Sequence, residues 1–217
     1  MRPGGMRYYP VFLDIAGKPV IVIGGGNIAH QKVVGLLKVD AEVTVVSPEL
    51  NPDMSSLAKV GSFRHISRDY EAGDLEGYVL AFVATDDRSV NATVAAEGKE
   101  RRVWVNAVDD PPYCDFIMPG IAQQGDLIVA VSTSGTSPAM ARKMREEIEA
   151  FLTEDWALML ELAAEVRAEL RSKGTLVDSD LWNKALDADL RKLLADGKRP
   201  EAKERLLRSL SQPVRTG

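Results

Sequence analysis

Cysteine is almost missing from this sequence. One, Cys114, stands among 217 residues, so no internal disulfide can form. Histidine is nearly as scarce. The two present, His30 and His65, lie far apart without the paired spacing of a zinc site, so each reads as a surface or packing residue and no metal ligand set is expected. Long apolar runs are lacking too. Hydrophobic residues make up 45% of the chain, but no run approaches the ~20 residues that a membrane-crossing helix needs. No apolar segment resembling a signal peptide follows Met1–Arg7. A cytoplasmic protein without a membrane partner is the simplest reading. An excess of positive charge is absent as well. Lys and Arg number 27 against 32 Asp and Glu, a formal net charge of −5, which gives no support to a nucleic-acid partner. Repeats and low-complexity tracts do not occur.

What is present centres on Val20-Ile-Val-Ile-Gly-Gly-Gly-Asn-Ile-Ala29. Four branched apolar residues without a polar break suit a parallel strand buried on both faces. Gly24, Gly25 and Gly26 permit a tight turn that a ligand can approach closely. A helical pattern starts at Asn27, with Ile28, Val33 and Leu36-Leu37 able to share one face. Strand, glycine turn and helix start form an anion site, since free N–H groups and the positive helix end converge there. The spelling is G-x-G-x-x-A, a variant of the dinucleotide fingerprint with Ala29 at the third small position. A tight βα turn without a ligand is the alternative.

Ala41–Val46 reads as the second strand, followed by Ser47-Pro48-Glu49. An acidic residue near this strand end, about 20 residues past the glycines, holds ribose hydroxyls in NAD-binding folds. Ser47 and Glu49 occupy the place and no arginine stands ready for a 2′-phosphate, which favours NAD over NADP. Asn51–Lys59 reads as a helix, Phe63–Ser67 and Tyr78–Ala84 as strands, and Ser89–Arg102 as a helix capped by Asp87 or Ser89. Thr85-Asp86 lies at a strand's carboxyl end, the ligand side of open α/β sheets. Val103–Val108 is a further strand, so the alternation predicts a doubly wound parallel sheet. Asp109-Asp-Pro-Pro112 ends it, because two prolines cannot continue a central strand.

Beyond that point, Phe116–Ile121 and Leu127–Ser132 are strand-like around a turn at Gln123-Gln-Gly-Asp126. Such a hairpin needs an apolar partner, and a twin from a second subunit supplies one. Ser137 as N-cap with Pro138 behind it starts a helix over Ala139–Leu152. Arg142, Lys143 and Arg145 in its first half oppose the helix dipole. Two readings stand side by side: a solvated face balanced by Glu146, Glu147 and Glu149, or an anionic ligand that the hydroxyls of Ser132–Ser137 also touch. From Asp155 to Gly217 the chain reads as amphipathic helices: a stripe from Trp156 to Leu170 ended by Gly174, then Leu181–Leu194 and Glu201–Leu210.

These segments together resemble the siroheme-synthase dehydrogenase family of precorrin-2 dehydrogenases, some of which are also sirohydrochlorin ferrochelatases. The matching stretches are Tyr9–Asp14, Gly24–Ala29 with Lys32, Ala84–Asp87 with Val90-Asn91, Val105–Asp109, Phe116–Pro119 and Val131–Pro138. They occur in the family's order from residue 8 to about 150. The resemblance implies an α/β fold: a Rossmann-type NAD-binding domain over 1–112, a hairpin-and-helix dimerisation region over 113–152, and a helical domain over 153–217. It implies NAD-dependent oxidation of precorrin-2 to sirohydrochlorin by a homodimer. The cofactor would lie on Gly24, Gly25, Gly26, Asn27, Ile28, Ser47, Pro48, Glu49, Thr85 and Asn106. Ser132, Thr133, Ser134 and Arg142 become candidates for the substrate.

The family's key aspartate falls on Asp109, placed to take a proton as hydride leaves. The residues alone favour a turn aspartate preceding Pro111. Metal insertion, with ferrous ion as co-substrate, stands open: Asp109 can serve as the base, but no His or Cys cluster marks a metal site. Two departures from the family's pattern are Gln31 before Lys32 and one glycine fewer in Ser132-Thr-Ser-Gly135. The 217 residues leave no room for the uroporphyrinogen methyltransferase domain of some relatives. An NAD-binding regulatory module without chemistry is the rival reading, and it would not require Asn106-x-x-Asp109.

Overall fold

The computed structural model describes residues 8–211. The expectation drawn from residues 1–7 and the end of the predicted helical tail, 212–217, lie outside them. The chain forms two compact units divided between Met118 and Pro119.

The first unit holds β1 (Pro19–Ile23), α1 (Asn27–Leu37), β2 (Glu42–Val46), α2 (Pro52–Lys59), β3 (Arg64–Ile66), β4 (Leu80–Val83), α3 (Arg88–Arg101) and β5 (Trp104–Ala107). The strands make one parallel sheet in the order β3-β2-β1-β4-β5. Alternation along β1 explains its unbroken apolar run. Val20 and Val22 face a core shared with Ala29, Val33 and Leu36 of α1 and Met54 of α2. Ile21 and Ile23 face the opposite core, shared with Val94 of α3 and with Leu75. Each buried branched side chain contributes roughly 1.5–3 kcal/mol relative to an exposed one, and a polar residue on either face would forfeit that. The expected doubly wound parallel sheet is therefore present. One face assignment differs. Ile28 is 43% exposed, because the buried stripe of α1 runs through Ala29, Val33 and Leu36.

The second unit begins with the antiparallel ribbon β6 (Gly120–Gln124) and β7 (Leu127–Val131). The expected strand over Phe116–Ile121 starts later than the sequence suggests. Phe116 instead sets its ring edge-on against Phe82 at 5.5 Å, so it joins the first unit's core. Pairing continues through Gln123↔Ile128 and Gln124↔Leu127, which tightens the hairpin loop to Gly125-Asp126, with Gly125 at φ 56°.

Helix α4 (Pro138–Phe151) follows, then α5 (Glu154–Ser172), α6 (Ser179–Ala185), α7 (Ala188–Ala195) and α8 (Arg199–Leu210). The expected start holds: Ser137 Oγ accepts the Met140 N–H at 3.2 Å, with Pro138 at the helix's first position. Gly174, at φ 69°, closes α5 as expected. Its N–H reaches the Arg171 carbonyl at 3.0 Å and that of Thr175 reaches Leu170 at 2.9 Å. The predicted single helix over Leu181–Leu194 is two helices. Asp187 interrupts it by accepting the Leu190 N–H at 2.9 Å, and the Arg205 guanidinium grips the same carboxylate at 2.9 and 2.8 Å. A local cap of this kind competes with a continuous helix.

Candidate functional site

In a sheet of order 3-2-1-4-5 the connections leave β1 and β4 in opposite directions, and ligands bind outside the carboxyl ends of the strands at that point. The glycine turn after β1 sits there. Gly24, at φ 117°, would place a Cβ 2.3 Å from the Ala84 carbonyl oxygen that follows β4. Its N–H donates to Val46 O at 2.9 Å. Gly25 would place a Cβ 1.9 Å from the Glu49 carbonyl oxygen and 2.7 Å from Ser47 Oγ. Protein backbone therefore explains both of these glycines. It does not explain Gly26, where an added Cβ meets nothing within 4 Å. Gly26 is the N-cap of α1, no side chain caps that helix, and its first turn carries no acid. The first N–H groups of α1 and its positive dipole end consequently face open space beside the turn. By contrast, Asn51 caps α2 and Asp87 caps α3.

An open cleft of about 440 Å³ runs from Gly25 and Gly26 along Ser47–Asn51. Its far wall is fixed by hydrogen bonds. Ser47 is buried, its Oγ donates to Glu49 O at 2.7 Å, and its carbonyl oxygen lies 2.9 Å from His65 Nε2. Ser67 Oγ donates to Pro48 O at 3.2 Å. The Ser47 hydroxyl is thus engaged with the chain itself, whereas Glu49 is exposed. Asn51 is a residue that the motif reading passed over. Its N–H donates to Gly25 O at 2.8 Å, its Nδ2 to Asn27 Oδ1 at 2.9 Å, and its Oδ1 accepts from Met54 N–H at 2.8 Å. One residue caps α2 with its side chain and clamps the glycine turn with its backbone N–H. The signal lay in Asn51-Pro52 opening a helix directly after the second strand.

On the β4 side, Thr85 Oγ1 accepts the Asp87 N–H at 3.2 Å. Asp87 caps α3 by accepting from Ser89 N at 2.8 Å and Ser89 Oγ at 2.6 Å. The Ser89 hydroxyl, then the backbone N–H groups of Ser89 and Val90, hold the Asp87 carboxyl below its ordinary range. At the end of β5, Asn106 is buried, and its amide donates to Phe116 O at 2.9 Å. It braces the turn that follows. Asp109 is exposed on that turn in the left-handed region, at φ 60°, which aspartate tolerates better than most residues. Asp110 is buried beside it. Its carboxylate takes Asn91 Nδ2 at 3.4 Å and lies 3.9 Å from Arg88 Nε. Cys114 donates its thiol to Ala107 O at 3.0 Å, and burial pushes that thiol's pKa up, so it is an inert strut.

In the second unit, Ser132–Ser137 form a self-bonded loop. Thr133 Oγ1 accepts the Ser137 N–H at 3.1 Å and donates to Ser137 O at 3.0 Å. Ser132 Oγ accepts the Ser134 N–H at 3.1 Å, and Ser134 stands at φ 54°. Along α4, Lys143 pairs with Glu147 at 3.3 Å, and Arg145 pairs with Glu149 and Glu146. Arg142 is exposed and has no ion pair among the described residues. Two of the three cations are therefore balanced, and one is left over.

Among the described residues, no cluster of three His, Cys, Asp or Glu is placed to hold a metal ion. No described helix is long and apolar enough to cross a membrane.

Residues 11–120 match the family model described as "Putative NAD(P)-binding", and residues 124–150 match "Sirohaem biosynthesis protein central". The chain is 36% identical over 209 residues to siroheme synthase 1 of Serratia proteamaculans, covering 95% of this chain and 44% of that one. It is 37% identical over 204 residues to siroheme synthase of Photobacterium profundum, covering 93% and 44%. The chain thus spans less than half the length of these curated relatives. Among solved structures, SirC, a precorrin-2 dehydrogenase, is similar at a TM-score of 0.76 and 25% identity. The similarity covers 93% of this chain and all of that one.

Proposed function

The chain belongs to the family described as putative NAD(P)-binding, and on that premise, with its similarity to siroheme synthases, we propose that it oxidises precorrin-2 to sirohydrochlorin with NAD. The observation that carries this reading is the open, uncapped start of α1 at Gly26, on the same carboxyl edge of the sheet as Asp109. Gly24 and Gly25 shape the turn, and Gly26, Asn27 and Ile28 at the start of α1 supply backbone N–H groups and space for the pyrophosphate. Pro48 and Glu49 line the ribose position. Glu49, with no arginine in Ser47–Asn51, selects NAD over NADP. Thr85 borders the turn, while Ser47 and Asn106 shape the site from behind with side chains already engaged. The bound cofactor supplies the hydride acceptor. Two hydrogens leave the substrate: one as hydride, the other as a proton that Asp109 takes.

Arg142, the unbalanced cation of α4, is assigned to a substrate carboxylate, with Ser132, Thr133 and Ser134 as the adjoining hydroxyls. We further propose a homodimer. Both edges of the β6–β7 ribbon are unpaired among the described residues. Ile121 and Ile128 are 40% and 41% exposed on its outer face, and Met140, Met144 and Phe151 of α4 are exposed as well. Free edges flanked by apolar side chains favour pairing with a second copy. On this reading 113–152 is the dimerisation region, 153–217 the helical domain, and the enzyme works in the cytoplasm.

The test is anaerobic incubation of the protein with precorrin-2 and either NAD or NADP, followed by absorbance. Faster conversion to sirohydrochlorin with NAD supports the assignment. Dinucleotide binding without conversion replaces it with a sensing module. Ferrous ion added afterwards, as substrate, reads whether the chain also inserts metal.

A further inference from the structure

We propose that Asp110 is a positioning residue for Asp109: its buried carboxylate, anchored to Asn91 of α3, holds the turn after β5 so that Asp109 keeps its left-handed backbone and presents its own carboxylate outward. The role in turnover rests on the function proposed above. The anchoring of the turn does not.

Asp109 is the residue at which the chain leaves the sheet. The Val108 N–H still donates to Val83 O at 2.9 Å, whereas Asp109 turns at φ 60°. A side chain in that region carries a steric cost, and the conformation persists only where the surroundings hold it. Pro111 restricts the backbone of Asp110, the residue before it, but not that of Asp109. Two restraints remain for Asp109. One is the Asp110 N–H on Ala107 O at 3.2 Å, and the other is the Asp110 side chain.

The two adjacent carboxylates have opposite surroundings. Asp109 is exposed, while Asp110 is 9% exposed. A carboxylate is costly to bury unless it is partnered, and both partners come from the first turn of α3. Asn91 Nδ2 donates to Asp110 Oδ2 at 3.4 Å, and Arg88 Nε lies 3.9 Å from the same oxygen. The Arg88 side chain is largely in water, which screens its share. Asn91 is buried. Its Oδ1 has no hydrogen-bond partner among the described residues, a cost to stability that leaves the contact with Asp110 as the amide's one hydrogen bond. The Asp110 carbonyl is held too, by the Tyr113 N–H at 3.0 Å and the Cys114 thiol at 3.5 Å. Asp110 is thus fixed at its N–H, its carbonyl and its carboxylate, and the residue before it inherits the constraint.

The experiment joins single-turnover oxidation of precorrin-2 to the Asp109 H–N/Hα cross-relaxation in ¹⁵N-aspartate-labelled protein, identified by its loss in Asp109→Asn. That cross-relaxation is strong at positive φ, where the two protons lie close together. Asp110→Ala should weaken it and slow the chemical step by about ten- to a hundredfold, the scale of a reacting group misplaced by about 1 Å, while the Kd for NAD stays unchanged. Asp110→Asn keeps an oxygen for Asn91 and should retain most of the rate. In the Asp109→Asn background, Asp110→Ala should have almost no effect, because groups that act as a unit are not additive. Asn91→Leu, which keeps the volume and removes the donor, takes the place of Asp110→Ala if circular dichroism shows that variant unfolded. An unchanged Asp109 signal and rate in the folded variant overturns the proposal. So does an Asp110→Asn protein as slow as Asp110→Ala, or an equal loss in both backgrounds. A wild type that leaves precorrin-2 unoxidised overturns the proposed function instead, and the cross-relaxation still decides whether Asp110 sets the turn.

Discussion

An added methyl group has opposite consequences at two adjacent glycines. At Gly25 a Cβ would fall 1.9 Å from the Glu49 carbonyl oxygen, so Gly25→Ala must displace the chain after β2, at a cost of about 1–3 kcal/mol for overpacking. At Gly26 a Cβ meets nothing within 4 Å, and the backbone is extended at φ −85° and ψ −168°. Gly26→Ala should therefore cost no more than about 1 kcal/mol, the scale of glycine's advantage over alanine at an N-cap, yet intrude where the pyrophosphate lies and weaken NAD binding by about tenfold or more, on the scale of lost helix N-terminus contacts. Thermal unfolding and titration calorimetry on the pair separate the two effects. Equal loss of stability in both variants would remove the ligand explanation for Gly26. At Asp109, substitution by Asn should leave NAD affinity and folding intact and reduce turnover at least about a hundredfold, the usual scale for a lost general base. Single-turnover kinetics reads this directly.

Among the elements, α3 is tied to the segment before β4 through one carboxylate. Glu97, its side chain 8% exposed, accepts from Gly73 N at 2.9 Å, Leu75 N at 3.2 Å and the Tyr70 hydroxyl, and pairs with Arg101 Nε at 2.7 Å. Glu97→Ala leaves those donors buried without an acceptor, so it should cost about 3 kcal/mol, read by urea denaturation. Burial raises the Glu97 pKa, but Tyr70, the two backbone N–H groups and Arg101 outweigh it, and the net shift is downward. A carboxyl depressed in the folded state adds stability above its ordinary value of 4.5, and that stability is lost as pH falls through the folded value. Tm should decline across that window, and Glu97→Gln should flatten the decline.

None of this network could be read from the sequence, because its members are local residues of no motif, joined only when α3 packs. The sheet was legible, since strands buried on both faces must be apolar without interruption. So was the glycine turn. Less legible was Asn51, whose clamp on Gly25 and Asn27 spans the β2 connection. The break at Asp187 was also hidden: a side-chain cap overrides a continuous apolar stripe, and its partner Arg205 stands 18 residues away. Ser47 and Asn106 held their predicted positions in the chain, but their hydroxyl and amide are spent on Glu49 O and Phe116 O, a commitment that spacing does not reveal.

For the whole molecule, the two proposals that reach beyond one chain concern assembly and turnover. Ile121→Asp with Ile128→Asp places charge on the exposed ribbon face and should give monomers in sedimentation equilibrium, with the parallel sheet unperturbed. An unchanged dimer would move the interface elsewhere. The most direct measurement of turnover is anaerobic: NADH formed and sirohydrochlorin formed, followed together in wild type and Asp109→Asn. One NADH per sirohydrochlorin is expected in the wild type and almost none in the variant, with NAD bound equally by both. Sirohydrochlorin appearing at the same rate in both proteins would contradict the role of Asp109.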